Sequence, residues 1–169
     1  GATRVERGAF VASEDARVDD LRGAYRRVLL YLAADDLTSD DPEGFMPEVG
    51  RRIADLVDAT LEAGLALARR DIDPGGLVPF AIIAMGKTGA RELNYISDVD
   101  VVYVAEAGAD GDERSALEIA TRLASATASA CSGPGSEAPL WTVDANLRPE
   151  GKDGPLVRTV ESYVQYYKR

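Results

Sequence analysis

Two carboxylates, Asp98 and Asp100, stand two residues apart in the stretch Gly86-Lys87-Thr88-Gly89-Ala90-Arg91-Glu92-Leu93-Asn94-Tyr95-Ile96-Ser97-Asp98-Val99-Asp100-Val101-Val102-Tyr103. On a strand, side chains at i and i+2 point to the same side, so these two face one point in space while Val99 and Val101 turn into a core. Upstream, Gly86 and Gly89 form a turn able to bring backbone N–H groups close to a phosphate. The combination is a way to hold a divalent metal beside a bound nucleotide. A third carboxylate comes from Trp141-Thr142-Val143-Asp144-Ala145-Asn146-Leu147, whose period-two alternation predicts a strand with Asp144 on the same face as Thr142 and Asn146.

Each part has a plainer reading. An Asp pair alone is more often a solvated strand end or a cap, and glycine is the default wherever the backbone needs φ > 0. Taken together, a strand, a glycine turn, a two-carboxylate strand and a later inward-facing Asp144 form a set that chance rarely assembles. Three converging carboxylates repel one another unless a cation sits among them.

The elements that must position these residues follow from periodicity. Val18, Leu21, Tyr25, Val28, Leu29 and Leu32 predict a helix over about 17–34, followed by a polar loop from Asp35 to Pro42. A second helix is expected from about Pro47 to Arg69-Arg70, broken by Asp73-Pro74-Gly75-Gly76. The apolar run Leu77 to Met85 reads as a buried strand with Pro79 near its start. Val99 to Val104 is the next strand, Gly108 to Asp112 a turn, and Glu113 to Ala130 a helix ended by Ser132-Gly133-Pro134-Gly135-Ser136. Pro149 to Pro155 is a tight connection, and a last helix starts at Val160. It stops at Arg169 without a cap, so the chain reads as a piece of something longer. The fold class is α+β, a mixed sheet flanked by helices. Residues 1–76 form a helical N-terminal segment and 77–169 the core, cut at its C-terminal end.

Composition limits the function classes. The chain has 169 residues, 46% of them hydrophobic, enough for one domain with a core. Its net charge of -10 repels a phosphate backbone, and Arg26-Arg27, Arg51-Arg52 and Arg69-Arg70 are isolated pairs, so no nucleic-acid partner is expected. Cys131 is the single cysteine and histidine is absent, which excludes an internal disulfide, a Cys/His zinc site and Ser-His-Asp chemistry. With no apolar run of spanning length and no secretory signal, the chain is expected to be cytoplasmic, away from membranes.

Gly86, Gly89, Glu92, Ser97, Asp98 and Asp100 resemble the signature of the polymerase-β-like nucleotidyltransferases. More narrowly, Met85 to Tyr95 and Val143 to Leu156 are similar to the bifunctional glutamine synthetase adenylyltransferase/adenylyl-removing enzymes, over about residues 80–169. Lys87 stands where the wider superfamily has Ser, although the narrower family carries Lys, and Ala90 replaces a common Gly. The resemblance implies a polymerase-β-like core in which Asp98, Asp100 and Asp144 hold Mg²⁺. It also implies that Gly86, Lys87, Gly89 and Ser97 bind nucleotide or phosphate. Arg148 could add a bidentate phosphate contact, or instead pair with Glu150 or Glu92. Met85 and Asn94 resemble the removing half, in which phosphate attacks adenylyl-tyrosine and ADP leaves. The alternatives are the adding half, which transfers AMP from ATP, and a nucleotide-binding regulatory module without turnover. The partners implied are glutamine synthetase as protein substrate, a regulatory protein of the PII type, nucleotide (ADP or ATP) and phosphate.

Overall fold

The computed structural model of the protein describes residues 4–6, 9–11, 15–108 and 111–168. Ala109 and Asp110 of the expected turn, and Arg169, lie outside them. The N-terminal segment is not wholly helical: β1 (Arg4–Glu6) and β2 (Ala9–Val11) pair antiparallel, with Val5 opposite Phe10. Helix α1 (Val18–Leu37) runs three residues further than its apolar pattern predicts. Helix α2 (Pro42–Ile72) starts five residues before Pro47. Asp41 decides this start, because its carboxylate accepts the Gly44 N–H at 3.0 Å and leaves Pro42, not Pro47, as the first-turn proline. The end of α2 is held by Asp73, whose buried carboxylate accepts the N–H groups of Leu77 at 2.9 Å and Val78 at 3.3 Å and pairs with Arg69.

The remaining elements are β3 (Phe80–Ala84), α3 (Gly86–Ala90), β4 (Val99–Ala105), α4 (Glu113–Ser132), β5 (Val143–Asp144), β6 (Val157–Arg158) and α5 (Val160–Tyr167). A 3₁₀ turn spans Gly151–Asp153. Strand β4 is central. It pairs antiparallel with β3, from Phe80 opposite Ala105 to Ala84 opposite Val101, and parallel with both β5 and β6 on its other side. Strands β5 and β6 therefore occupy one lane of the sheet, interrupted by residues 145–156.

Two expectations are corrected here. The Leu77 to Met85 run forms a five-residue edge strand rather than a buried one, with Ile83 44% exposed. Only its Phe80, Ile82 and Ala84 share the face of Tyr103 and Val101, and a continuous apolar run cannot reveal that half of it stays open. The third strand shrinks from seven residues to two, because the Asp144 carboxylate accepts the Asn146 N–H at 2.7 Å and turns the chain away from β4. The return at β6 is too short to leave an alternating pattern.

Val99, Val101, Tyr103 and Ala105 bury one face of β4. They join one hydrophobic cluster with Leu21 and Tyr25 of α1, Ile53 and Val57 of α2, and Ala120 and Ala124 of α4. Helical segment and sheet thus share a core, in which each buried Val, Leu or Ile contributes about 1.5–3 kcal/mol. Helix α1 also grips the C-terminal end of α4. Arg22 is fully buried, and its guanidinium donates to the carbonyls of Ala130 (2.9 Å), Ser129 (3.1 Å), Gly133 (2.8 Å) and Glu137 (2.7 Å). These include carbonyls that a helix end leaves without intrahelical partners, and a cation there suits the helix dipole. Asp19 accepts the Ser136 hydroxyl and the Glu137 N–H, fixing the path from α4 towards β5. Among the described residues no helix is long and apolar enough to cross a membrane.

Candidate functional site

The sheet register puts Asp100 directly opposite Asp144, with Val99 opposite Val143. Partners across a parallel pair share a face about 4.8 Å apart, and Asp98 precedes Asp100 by one period of the pleat. Asp100 and Asp144 therefore leave the backbone on the face turned away from Val99 and Val101. Asp98 is exposed and lies just before β4, while Asp100 and Asp144 are half-buried. As the side chains stand, no three acidic, histidine or cysteine groups among the described residues are close enough together to hold a metal ion. The backbone converges but the carboxylates do not. Like charges on neighbouring lanes repel, and the Asp144 carboxylate is turned to the Asn146 N–H.

Gly86 and Gly89 serve different purposes. Gly86 has φ +51°, and a Cβ there would lie 2.5 Å from the Asp100 carboxylate. Only glycine lets that carboxylate rest against the turn. Met85 is the N-cap of α3, so the N–H groups of Gly86 and Lys87 belong to a first turn that has no intrahelical acceptors, and both residues are exposed. Gly89 instead donates its N–H to the Met85 carbonyl at 2.8 Å, and a Cβ on it would lie 2.6 Å from the Ala84 carbonyl oxygen. Its role in the structure is close packing of α3 on β3, not presentation of an N–H.

Sequence reasoning missed the residues that tether this turn. Thr88 is 2% exposed and its Oγ1 accepts the Asp100 N–H at 3.2 Å. Arg91, in the left-handed region at φ 61°, pairs with Asp55 and Asp58 of α2. Burial raises the Asp58 carboxyl above its usual range, against the lowering effect of Arg91. Tyr95 donates to Asp36 of α1 at 2.8 Å, and desolvation together with that carboxylate pushes its hydroxyl up to about 12. The only signal available beforehand was a Thr between two glycines followed by an Arg. Ser97 sits in a turn with Asn94: its hydroxyl donates to Asn94 Oδ1 at 2.9 Å and accepts the Asn94 N–H at 3.3 Å.

Arg148 braces the 145–156 excursion. Its guanidinium donates to Ala145 O at 2.7 Å and to Gly154 O at 3.3 Å. Among the described residues it forms no ion pair with Glu150 or Glu92; Glu150 pairs with Arg158.

The donor set suits a hard divalent cation. It offers only carboxylate oxygens, those of Asp100 and Asp144 on one sheet face and that of Asp98 just before β4, beside a cradle that a Cβ at Gly86 would fill. A glycine turn after the first strand of a small mixed sheet, two aspartates at the head of the central strand and a third in the next lane define a nucleotidyltransferase-type core. Comparison with known proteins narrows this. The family described as glutamate-ammonia ligase adenylyltransferase matches residues 2–169, and the chain belongs to that family. It is 51% identical to the bifunctional glutamine synthetase adenylyltransferase/adenylyl-removing enzyme of Cutibacterium acnes, over 89% of this chain and 16% of the relative. Those of Leifsonia xyli and Bifidobacterium longum are 47% and 42% identical, over 95% and 100% of this chain and 17% and 16% of each relative. The chain thus spans about one sixth of the length of these curated relatives.

Proposed function

We propose that this chain is the nucleotidyl-transfer core of the adenylyl-removing half of such an enzyme. The observation that carries the reading is the placement of Asp100 opposite Asp144, with Asp98 just before β4 and Gly86 against Asp100. Asp98, Asp100 and Asp144 would hold Mg²⁺, with Asp144 swung away from the Asn146 N–H. When bound, Mg²⁺ activates the attacking oxygen and stabilises the leaving one. The first-turn N–H groups of Gly86 and Lys87 orient non-transferred phosphate oxygens, and the Lys87 ammonium adds positive charge beside them. In removal, an oxygen of inorganic phosphate bonds to the phosphorus of adenylyl-tyrosine while the bond to the tyrosine oxygen breaks. ADP leaves, and the tyrosine regains its proton. Met85 and Asn94 support the removing direction by resemblance, while the relatives' names carry both directions, adding and removing. Glutamine synthetase as substrate rests on those names, and a PII-type regulatory partner on the resemblance.

The test uses the complete enzyme carrying this chain, adenylylated glutamine synthetase, phosphate and Mg²⁺, with ADP release followed by mass spectrometry. Wild type is expected to release ADP only with phosphate and Mg²⁺ both present. Asp100→Asn should lower turnover about a hundredfold or more, as loss of a transition-state charge contact does. Its thermal stability in metal-free buffer should be unchanged or raised, because carboxylate repulsion is relieved. AMP attachment from ATP with pyrophosphate release, lost in Asp100→Asn while ADP release persists, would assign this chain to the adding half.

A further inference from the structure

The ladder between β3 and β4 is rewired at Asp100. In a regular antiparallel pair, Met85 and Asp100 would exchange two hydrogen bonds. One is present, from the Met85 N–H to the Asp100 carbonyl at 2.9 Å. The other is not, because the Met85 carbonyl accepts the Gly89 N–H at 2.8 Å and closes the turn of α3. The Asp100 N–H donates instead to Thr88 Oγ1 at 3.2 Å. One glycine turn has thus been let into the ladder, and a buried side-chain hydroxyl stands in for the displaced carbonyl.

We propose that Thr88 is a positioning residue for nucleotidyl transfer: its hydroxyl fixes the Asp100 backbone, and so the direction in which the Asp100 carboxylate leaves the strand against the Gly86 turn. This rests on reading Asp98, Asp100 and Asp144 as the Mg²⁺ site. The geometry leaves Thr88 no other part in the chemistry, since it is buried beneath the turn whose exposed Gly86 and Lys87 face outward. Gly86 lets the carboxylate lie against the turn, and Thr88 keeps the strand from sliding away beneath it. Without the hydroxyl, the Asp100 N–H has no acceptor in its place, and the head of β4 must shift to find one.

Thr88→Val keeps the shape and removes the hydroxyl, while Thr88→Ser keeps the hydroxyl and removes the methyl. Three readouts on the protein separate position from fold: hydrogen exchange of the Asp100 amide, the Asp100 χ1 angle from three-bond couplings, and Mg²⁺ binding by calorimetry. Thr88→Val is expected to speed exchange, spread χ1 over several rotamers and weaken Mg²⁺ binding about tenfold, the usual scale for one unsatisfied buried donor. Thr88→Ser should stay close to wild type in all three. The proposal is overturned if the serine variant behaves like the valine variant, which would assign the effect to the methyl. It is equally overturned if the valine variant exchanges fast yet keeps one χ1 rotamer and wild-type Mg²⁺ binding. Should the valine variant not fold, Thr88→Ala against Thr88→Ser makes the same comparison. Wild-type protein that binds no Mg²⁺ would sink the metal reading alone, with exchange and χ1 still deciding the role of Thr88.

Discussion

The clamp at the C-terminal end of α4 and the turn at the head of β4 both bring charged groups to the edge of one core, yet they treat them in opposite ways. At the clamp, the buried Arg22 guanidinium meets four backbone carbonyls and Asp19 receives two donors. At the turn, Asp98 stays exposed, and Asp100 and Asp144 hold opposite register positions on neighbouring lanes with their carboxylates turned apart. The first arrangement saturates its polar atoms and can only stabilise. The second sets like charges at neighbouring register positions with no cation of the described residues among them, a cost that the proposed Mg²⁺ would offset.

Breaking the clamp should give the largest effect. Arg22→Ala removes the donors of four carbonyls and leaves a hole, so a stability loss of about 3–5 kcal/mol is expected in urea unfolding. Asp100→Asn, by contrast, should lose activity without that loss. An Arg22→Ala protein of wild-type stability would erase the distinction. Gly86→Ala comes next, because it forces a side chain into φ +51° and sets a Cβ 2.5 Å from the Asp100 carboxylate. A loss of about 1–3 kcal/mol is expected, together with a shift of the Asp100 carbonyl carbon in NMR spectra; the same substitution at Gly23, where nothing lies within 4 Å, should leave that signal in place.

The smallest effect is that of pH on the clamp. The Ser136 hydroxyl first, and then the Glu137 N–H, hold the Asp19 carboxyl below its usual 3.8. A lowered folded-state value means that the contribution is present above the unfolded value and disappears as pH falls through the folded one. Thermal melts of wild type and Asp19→Asn should therefore differ at neutral pH and converge in acid below that window. A difference that persists there would show that Asp19 acts through something other than its charge.

The two regions were not equally legible. The aspartates were visible because a strand has a period of two, which puts Asp98 with Asp100 and Asp144 with Thr142 and Asn146 before any fold is known; that Asp144 stands opposite Asp100 is a matter of register. Arg22 could have been noticed, since it shares a helical face with Val18, Tyr25 and Leu29. What it holds lies more than a hundred residues away, and no local pattern encodes that. Thr88 was hidden for another reason: its partner is a backbone N–H, and backbone groups carry no residue type. Register, edges and the two-residue strands β5 and β6 depend on which lane β4 offers, a property of the assembled sheet.

The divided lane of β5 and β6 has a consequence for how such a protein can vary. The chain leaves β4 at Asp144 and rejoins it at Val157, so residues 145–156 begin and end on the same rail. Closing a loop between fixed posts grows costlier only slowly with its length. The excursion can thus change in length without re-threading the sheet, and it starts one residue beyond a candidate metal ligand.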